Sequence, residues 1–371
     1  MRRHLFLSAL LAAVFTCGCR SLPPRPANAT LKTAGGPLVQ AHRGSRGEWD
    51  DNALSGFRIC LGHGIRGFET DIRFTKDHKL VIMHDARVNR TTDGDGTIEE
   101  MTFEEVRNCR LKASSEPVPT LDEVLQAIGG RDDIFVELEM KAYPSDFYTP
   151  EVLEEYCRDL SAMARRMLPS GTYTFTCFNT NTLAAMRKVD SRAPTGFITS
   201  RGLDESHIEI AKSLGCCNVS PNGHATTKEM VEKAHAAGLA VCLWMCQSKA
   251  DWDEYREKGA DRVTSDYPML VREAIGGRHK KVVALGLDRK RLLAEKGNAA
   301  ALAALEGRYK CMAWGDALEW ARKRGSRDVV FVGDDFADGG KGADVRVNGY
   351  DHIIVTDYRK FASAVKVLTD L

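Results

Sequence analysis

An α/β fold of the (β/α)8, TIM type, with a small α/β appendage behind it, is what this sequence predicts, and three observations predict it. Short apolar runs alternate with helix-period stretches eight times between residues 37 and 276. The side chains able to do chemistry fall at the carboxyl ends of those runs, where barrels of this kind carry their sites. The length of 371 residues suits one barrel plus a smaller unit better than two equal domains. An open doubly wound sheet is the alternative reading of the same alternation.

The first strand is expected over 37–41 and is followed by a helix over 53–62. Residues 67–74 form the second strand, and 79–83 are a further apolar run that leads into a long excursion, 86–119, with a helix entry at 101–106. A helix over 121–128 and the third strand, 134–140, come next. The helix over 150–168 opens on Pro150, whose missing N–H costs nothing in a first turn. Strand 173–178 and helix 179–189 continue the series. Strands 195–198, 218–220, 240–245 and 262–264 complete the eight, separated and closed by helices 204–214, 228–237, 251–258 and 268–275. The appendage, 277–371, reads as strands 281–285, 328–332 and 353–355 with helices 289–305, 315–324 and 358–368.

Residues 1–19 read as an export signal: Arg2 and Arg3 precede the apolar run 5–15, which is too short to span a membrane. Gly18-Cys19 is similar to a bacterial lipoprotein processing site, with Thr16 where leucine is usual. The expectation is a periplasmic or cell-envelope protein held to a membrane through a lipidated Cys19, with simple cleaved secretion as the alternative. Residues 20–36, rich in proline and polar side chains, form a flexible tether. The net charge of +1, with both signs interspersed, excludes the basic field that a nucleic-acid partner requires. Nine of the eleven cysteines lie beyond the leader, none in a C-x-x-C, and most sit in apolar patterns, so buried thiols are expected. Export would permit one or two disulfides. Zinc at Cys216-Cys217 or Cys242/Cys246 lacks a histidine at ligand spacing.

The chemistry begins in 65–85. A strand over 67–74 puts Glu69 and Asp71 on one face, close enough for both carboxylates to hold one hard cation. His84-Asp85 then sets an imidazole and another carboxylate at a strand end, where the imidazole can move a proton. The same residues taken alone also fit a solvated acidic strand edge with an incidental histidine.

An ordered series decides between the two. His42-Arg43, Glu69-x-Asp71, His84-Asp85, the run Arg90-Thr91-Thr92-Asp93-Gly94-Asp95-Gly96, Pro119-Thr120-Leu121-x-Glu123, Glu139-Met140-Lys141, Trp244 and Ser265-Asp266-Tyr267-Pro268 resemble the glycerophosphodiester phosphodiesterase family. The resemblance covers residues 37–276 and stops short of the appendage.

The resemblance implies metal-dependent hydrolysis of glycerophosphodiesters to glycerol 3-phosphate and an alcohol. It makes Glu69, Asp71 and Glu139 the ligands of one Mg²⁺ or Ca²⁺, and oxygen-only ligation suits such ions. Glu137, two residues before Glu139, is a competing ligand. Arg43 and Lys141 would hold phosphoryl oxygens, Trp244 would wall the alcohol group, and His42 and His84 would be the general base and acid. Asp85 would either orient an imidazole or cap the following loop. Where the family has Pro-Glu-Asn-Thr, this chain has Asp50-Asp51-Asn52-Ala53, and the shorter Asp51 is expected to lose its contact with the site or keep it only through water. A non-catalytic envelope lipoprotein that binds a phosphodiester or other surface ligand is the competing function, and a phospholipase D-like activity on lysophospholipids is the enzymatic variant.

Overall fold

The computed structural model describes residues 36–276 without a break and, beyond them, residues 282–287, 289–314, 317, 319, 329–333, 353–355 and 361–370. The expected leader, and the tether up to residue 35, lie outside the described residues, as does nearly all of the expected helix 315–324.

The chain runs β1 (Leu38–Ala41), α1 (Leu54–Gly62), β2 (Gly67–Phe74), β3 (Leu80–Ile82), α2 (Phe103–Asn108), α3 (Leu121–Ile128), β4 (Phe135–Met140), α4 (Pro150–Met167), β5 (Tyr173–Cys177) and α5 (Thr180–Val189). It continues through β6 (Thr195–Ile198), α6 (Glu205–Ser213), β7 (Asn218–Ser220), α7 (Lys228–Ala236), β8 (Ala240–Trp244), α8 (Lys249–Lys258), β9 (Arg262–Ser265) and α9 (Pro268–Ile275). The sheet order is β1-β9-β8-β7-β6-β5-β4-β2-β3, and β1 also pairs with β2 in parallel, which closes the sheet on itself. That closure rules out the open doubly wound sheet. β3 is the one addition, antiparallel on β2. β1, β2 and β4 are buried along almost their whole length, as strands must be when one face lines a barrel and the other meets helices.

Two details position the site. The excursion after β3 packs around its own apolar cluster of Val81, Met83, Val88, Ile98, Val106, Cys109 and Val118, so the loop that begins at His84 has a fixed base. Thr120 and Glu123 form a capping box on α3, each side chain taking the other's backbone N–H at 3.2 and 2.9 Å. The Pro-Thr-Leu-x-Glu motif is thus a helix start and not a piece of chemistry.

Beyond the barrel, β10 (Val282–Leu285), β11 (Lys310–Ala313), β12 (Val329–Gly333) and β13 (Ile353–Val355) form a parallel sheet ordered β11-β10-β12-β13. Two sequence expectations change here. The helix expected over 289–305 is two, α10 (Arg289–Ala294) and α11 (Asn298–Arg308); Gly297, the residue before α11, takes φ +89°, a left-handed conformation that a continuous helix does not allow. β11 is a strand that the sequence did not announce, because Lys-Cys-Met-Ala contains no β-branched or aromatic residue. A final helix spans Phe361–Asp370. All nine cysteines of the described residues are free thiols, and eight of them are buried, as their apolar sequence patterns lead one to expect.

Candidate active site

Barrel register builds the first half of the site. β1 pairs with β9 so that Ala41 lies opposite Ser265, and the next residues, His42 and Asp266, leave the rim side by side. His42 Nδ1 is 2.5 Å from Asp266 Oδ1, which makes Nδ1 the donor and leaves Nε2 as the basic nitrogen, 3.8 Å from Glu69 Oε2. Gln247 holds Asp266 in turn, donating from Nε2 at 2.8 Å and accepting the Asp266 N–H at 3.0 Å. Burial lowers the His42 pKa and Asp266 pulls it back up; the net shift is downward. Burial works to raise Asp266, but the His42 charge and hydrogen bond and the nearby Arg46 outweigh it and hold the carboxyl at about 2.

After His42 the backbone turns sharply. Arg43 stands at φ +50°, ψ +40°, a left-handed conformation that costs a non-glycine residue ~1 kcal/mol or more. The turn aims the Arg43 N–H at Glu69 Oε2 (3.0 Å), its guanidinium Nη1 at Asp51 Oδ2 (3.0 Å) and its Nε toward Asp71 Oδ2 (3.4 Å). Asp51 therefore keeps a direct contact with the site. The expectation of a lost or water-bridged contact fails because Arg43 leans toward the shorter carboxylate.

Glu69, Asp71 and Glu139 form a buried cluster in which one carboxylate oxygen from each lies within 4.8 Å of the others. β2 and β4 pair in parallel with Asp71 opposite Glu139, which is what brings the two strands' acids together. Lys141 Nζ sits between Asp71 Oδ1 (3.1 Å) and Glu139 Oε1, and Asn52 Nδ2 donates to Asp71 Oδ2 at 2.9 Å. Although burial would raise Asp71, Lys141 and Arg43 hold its carboxyl far below the usual range. Burial and the neighbouring acids drive Glu69 well up. Glu139 is pushed to about 7 by burial, against the pull of Lys141. Three buried acids face two cations, and Glu69 Oε1 has no hydrogen-bond donor among the described residues. The donor set is all oxygen and short of positive charge, so it fits a divalent hard cation. Glu137, the competing ligand, is occupied instead: Gln40 Nε2 donates to one of its oxygens (3.1 Å) and Ser220 Oγ to the other (3.2 Å).

His84 follows β3 and is fixed from both ends. Arg73 Nη2 donates to its carbonyl at 2.8 Å, and Nδ1 lies 2.6 Å from Asp85 Oδ1. Asp85 is thus an orienting carboxylate. Burial, with Lys141 and Arg43 nearby, brings the His84 pKa down to about 4 despite the opposing pull of Asp71.

A cavity of about 250 Å³ is lined by His42, Arg43, Glu69, His84, Glu139, Lys141 and Trp244, seven of the eight residues expected from sequence. Asp71, the eighth, is fully buried against Lys141 and Arg43. Trp244 is half-buried, donates Nε1–H to the Ser220 carbonyl at 2.8 Å and meets Phe178 edge to face, and both rings line the cavity. His78, His207, His224 and His235 pair with acids elsewhere. The sequence reading assigned no role to Asp266, Asn52 or Phe178. Asp266 lay in the quoted Ser-Asp-Tyr-Pro motif and Asn52 in the Asp-Asp-Asn-Ala stretch, while Phe178 follows β5 with no signal beyond its place at a strand end.

The glycerophosphoryl diester phosphodiesterase family model matches residues 42–270. A protein of Caldanaerobacter subterraneus named glycerophosphodiester phosphodiesterase is 28% identical over 241 residues, covering 62% of this chain and 94% of its own. Among solved structures, an Oleispira antarctica phosphodiesterase in complex with the product sn-glycerol-3-phosphate is 26% identical, with TM-score 0.58, covering 65% of this chain and 97% of that one. A Silicibacter pomeroyi chain, provisionally called a glycerophosphoryl diester phosphodiesterase, shares the fold with TM-score 0.61 at 24% identity, covering 68% of this chain and 98% of that one.

Proposed function

The chain belongs to the glycerophosphoryl diester phosphodiesterase family, and we propose that it hydrolyses glycerophosphodiesters to glycerol 3-phosphate and an alcohol, with His42 and His84 as base and acid beside one Mg²⁺ or Ca²⁺ held by Glu69, Asp71 and Glu139. One observation carries the reading. Two imidazoles, each with Nδ1 tied to a carboxylate, line a single cavity beside an acid cluster whose three carboxylates meet only two cations, Arg43 and Lys141.

Cleavage places extra charge on the phosphoryl oxygens, and positive groups aimed there lower the barrier. Arg43 and Lys141 supply two, and a bound cation adds Lewis-acid stabilisation of the same charge. His42 Nε2 accepts the proton of the attacking hydroxyl while Asp266 steadies the imidazolium that forms. His84 protonates the departing alkoxide, a poor leaving group without that proton. In the substrate-free protein burial, with Lys141 and Arg43 nearby, holds His84 down at about 4 and so neutral at pH 7; a phosphodiester anion beside the two cations would offset the part of that shift that they cause. Trp244 and Phe178 wall the alcohol side.

Glycerol 3-phosphate release from glycerophosphocholine tests the reading. The full chain with Mg²⁺ or Ca²⁺ should turn over, and Asp71→Ala should lose at least about 10³-fold in kcat, since both the cation and Lys141 lose their shared partner. A native chain that binds the diester without turnover would favour the non-catalytic lipoprotein instead.

The same proposal extends to the rest of the chain. Residues 37–276 form the phosphodiesterase unit, and 277–371 are dispensable for chemistry, because every residue given a role precedes Pro268. A chain ending near residue 278 is expected to keep its turnover per folded molecule; a folded but inactive truncation would show that the appendage completes the site. Export and attachment through lipidated Cys19 are checked by labelled fatty-acid incorporation, which Cys19→Ala should abolish.

A further inference from the structure

His84 and Arg43 reach the cavity from different loops, yet one guanidinium stands between their partners. Arg90 closes the short 3₁₀ turn Val88–Arg90. Its Nε donates to Asp85 Oδ2, while Asp85 Oδ1 lies 2.6 Å from His84 Nδ1. Its Nη2 donates to Asp51 Oδ2 at 3.0 Å, and the same oxygen accepts Arg43 Nη1 at 3.0 Å. The chain His84, Asp85, Arg90, Asp51, Arg43 is therefore continuous; Asp85 is shared between His84 and Arg90, and Asp51 between Arg90 and Arg43 with Arg46 Nε 3.7 Å from its other oxygen.

We propose that Arg90 is a positioning residue that couples the His84–Asp85 pair to Arg43 through Asp51, so that the acid and the phosphate-binding cation are set by one side chain. The proposal rests on the function assigned above. Its physical content is the division of labour within each carboxylate. Asp85 can present one oxygen to His84 because the other is taken by Arg90. Without Arg90, the carboxylate is free to turn and to hydrate. Arg43 and Arg90 share Asp51 Oδ2, and Arg46 Nε lies 3.7 Å from Oδ1, so losing Arg90 leaves Asp51 to the pull of Arg43 and Arg46. Arginine suits this task and lysine does not, because Nε and Nη2 serve the two acids at once from a rigid plane, whereas an ammonium is one point on a flexible stem. Arg90 is 39% exposed, so its ion pairs are screened and add little to folding stability; what it supplies is geometry. The shorter Asp51, where relatives are expected to have glutamate, is still spanned from both sides.

The test uses the full chain with its cation. Arg90→Ala should lower kcat by about 10–100-fold, the usual cost of losing a supporting partner, and raise KM for glycerophosphocholine, with the melting temperature nearly unchanged. Arg90→Lys should restore only part of this. Double-mutant cycles of Arg90→Ala with Asp85→Asn and with Asp51→Asn should be less than multiplicative, since each pair disables one shared unit. A separate readout needs no turnover. The Nδ1 proton of His84, held on a carboxylate, should give a downfield proton resonance, identified by its loss in His84→Ala, and Arg90→Ala should shift or broaden it. An unchanged resonance together with multiplicative cycles would overturn the proposal and leave Arg90 as a loop ion pair. If the native chain proved inactive on the diester, the proposed function would fall by itself, and the resonance would still decide whether Arg90 governs the His84–Asp85 pair.

Discussion

Replacing His42 or His84 by alanine is expected to lower kcat for glycerophosphocholine by about 10²–10⁴-fold, the span attributed to a positioned acid or base, with KM moving far less. Both imidazoles have Nδ1 engaged by a carboxylate, at 2.5 Å and 2.6 Å, and so offer only Nε2 to the substrate. They hold no phosphoryl oxygen in this account, which is why binding should survive. The two variants separate on a diester whose leaving group is a phenol of low pKa. Such a group departs without a proton, so His84→Ala should recover most of its lost rate on that substrate while His42→Ala should not. Recovery by His42→Ala alone would reverse the assignment of base and acid. A loss below about tenfold in both would make the imidazoles structural.

The second large effect concerns the nucleophile. Glu69, Asp71 and Glu139 form one acid cluster beside the cavity, which Glu69 and Glu139 line, and with one cation there a hydroxyl already attached to the substrate would be a favourable attacker. Glycerol carries such a hydroxyl on its second carbon. In the proposed mechanism, with His42 as its base, attack would form a cyclic phosphate and expel the alcohol, and water would then open the ring with the histidine roles reversed. The 2-deoxy analogue of glycerophosphocholine should react slower by about two orders of magnitude or more, since an intramolecular nucleophile is worth several kcal/mol at ~1.4 kcal/mol per decade. A cyclic phosphate should also be visible by phosphorus NMR at early times. Equal rates for the two compounds would place water in the role of nucleophile from the start.

The barrel was legible because its strands are buried on both faces and its helices carry caps, both of which leave a pattern in the sequence: period two through Glu69 and Asp71, and Thr120 with Glu123 at the start of α3. The acid cluster was legible in two pieces: Glu69 and Asp71 share a strand face by the period of two, and Glu139 came from the family resemblance, while the structure brings them together by pairing β2 with β4. Asp266 was not assigned because its partner lies 224 positions away, and only closure of β9 on β1 brings them together. Asp51 was misjudged for a related reason. Side-chain length was compared with the family pattern, whereas the contact depends on where a left-handed Arg43 directs its guanidinium. The break at Gly297 and the strand over Lys310–Ala313 fall where propensity is weak and sheet pairing decides.

Glycerol 3-phosphate release from glycerophosphocholine, before chelation, after treatment with EDTA, and after Mg²⁺ or Ca²⁺ is restored, tests the central claim most directly. Glu69 Oε1 has no hydrogen-bond donor among the described residues, and burial pushes Glu69 and Glu139 both upward; in the proposed function a bound cation is what would hold three charges together there. The account predicts that chelation abolishes release and that one of the two ions restores it. Full activity of the metal-stripped chain in EDTA would contradict it.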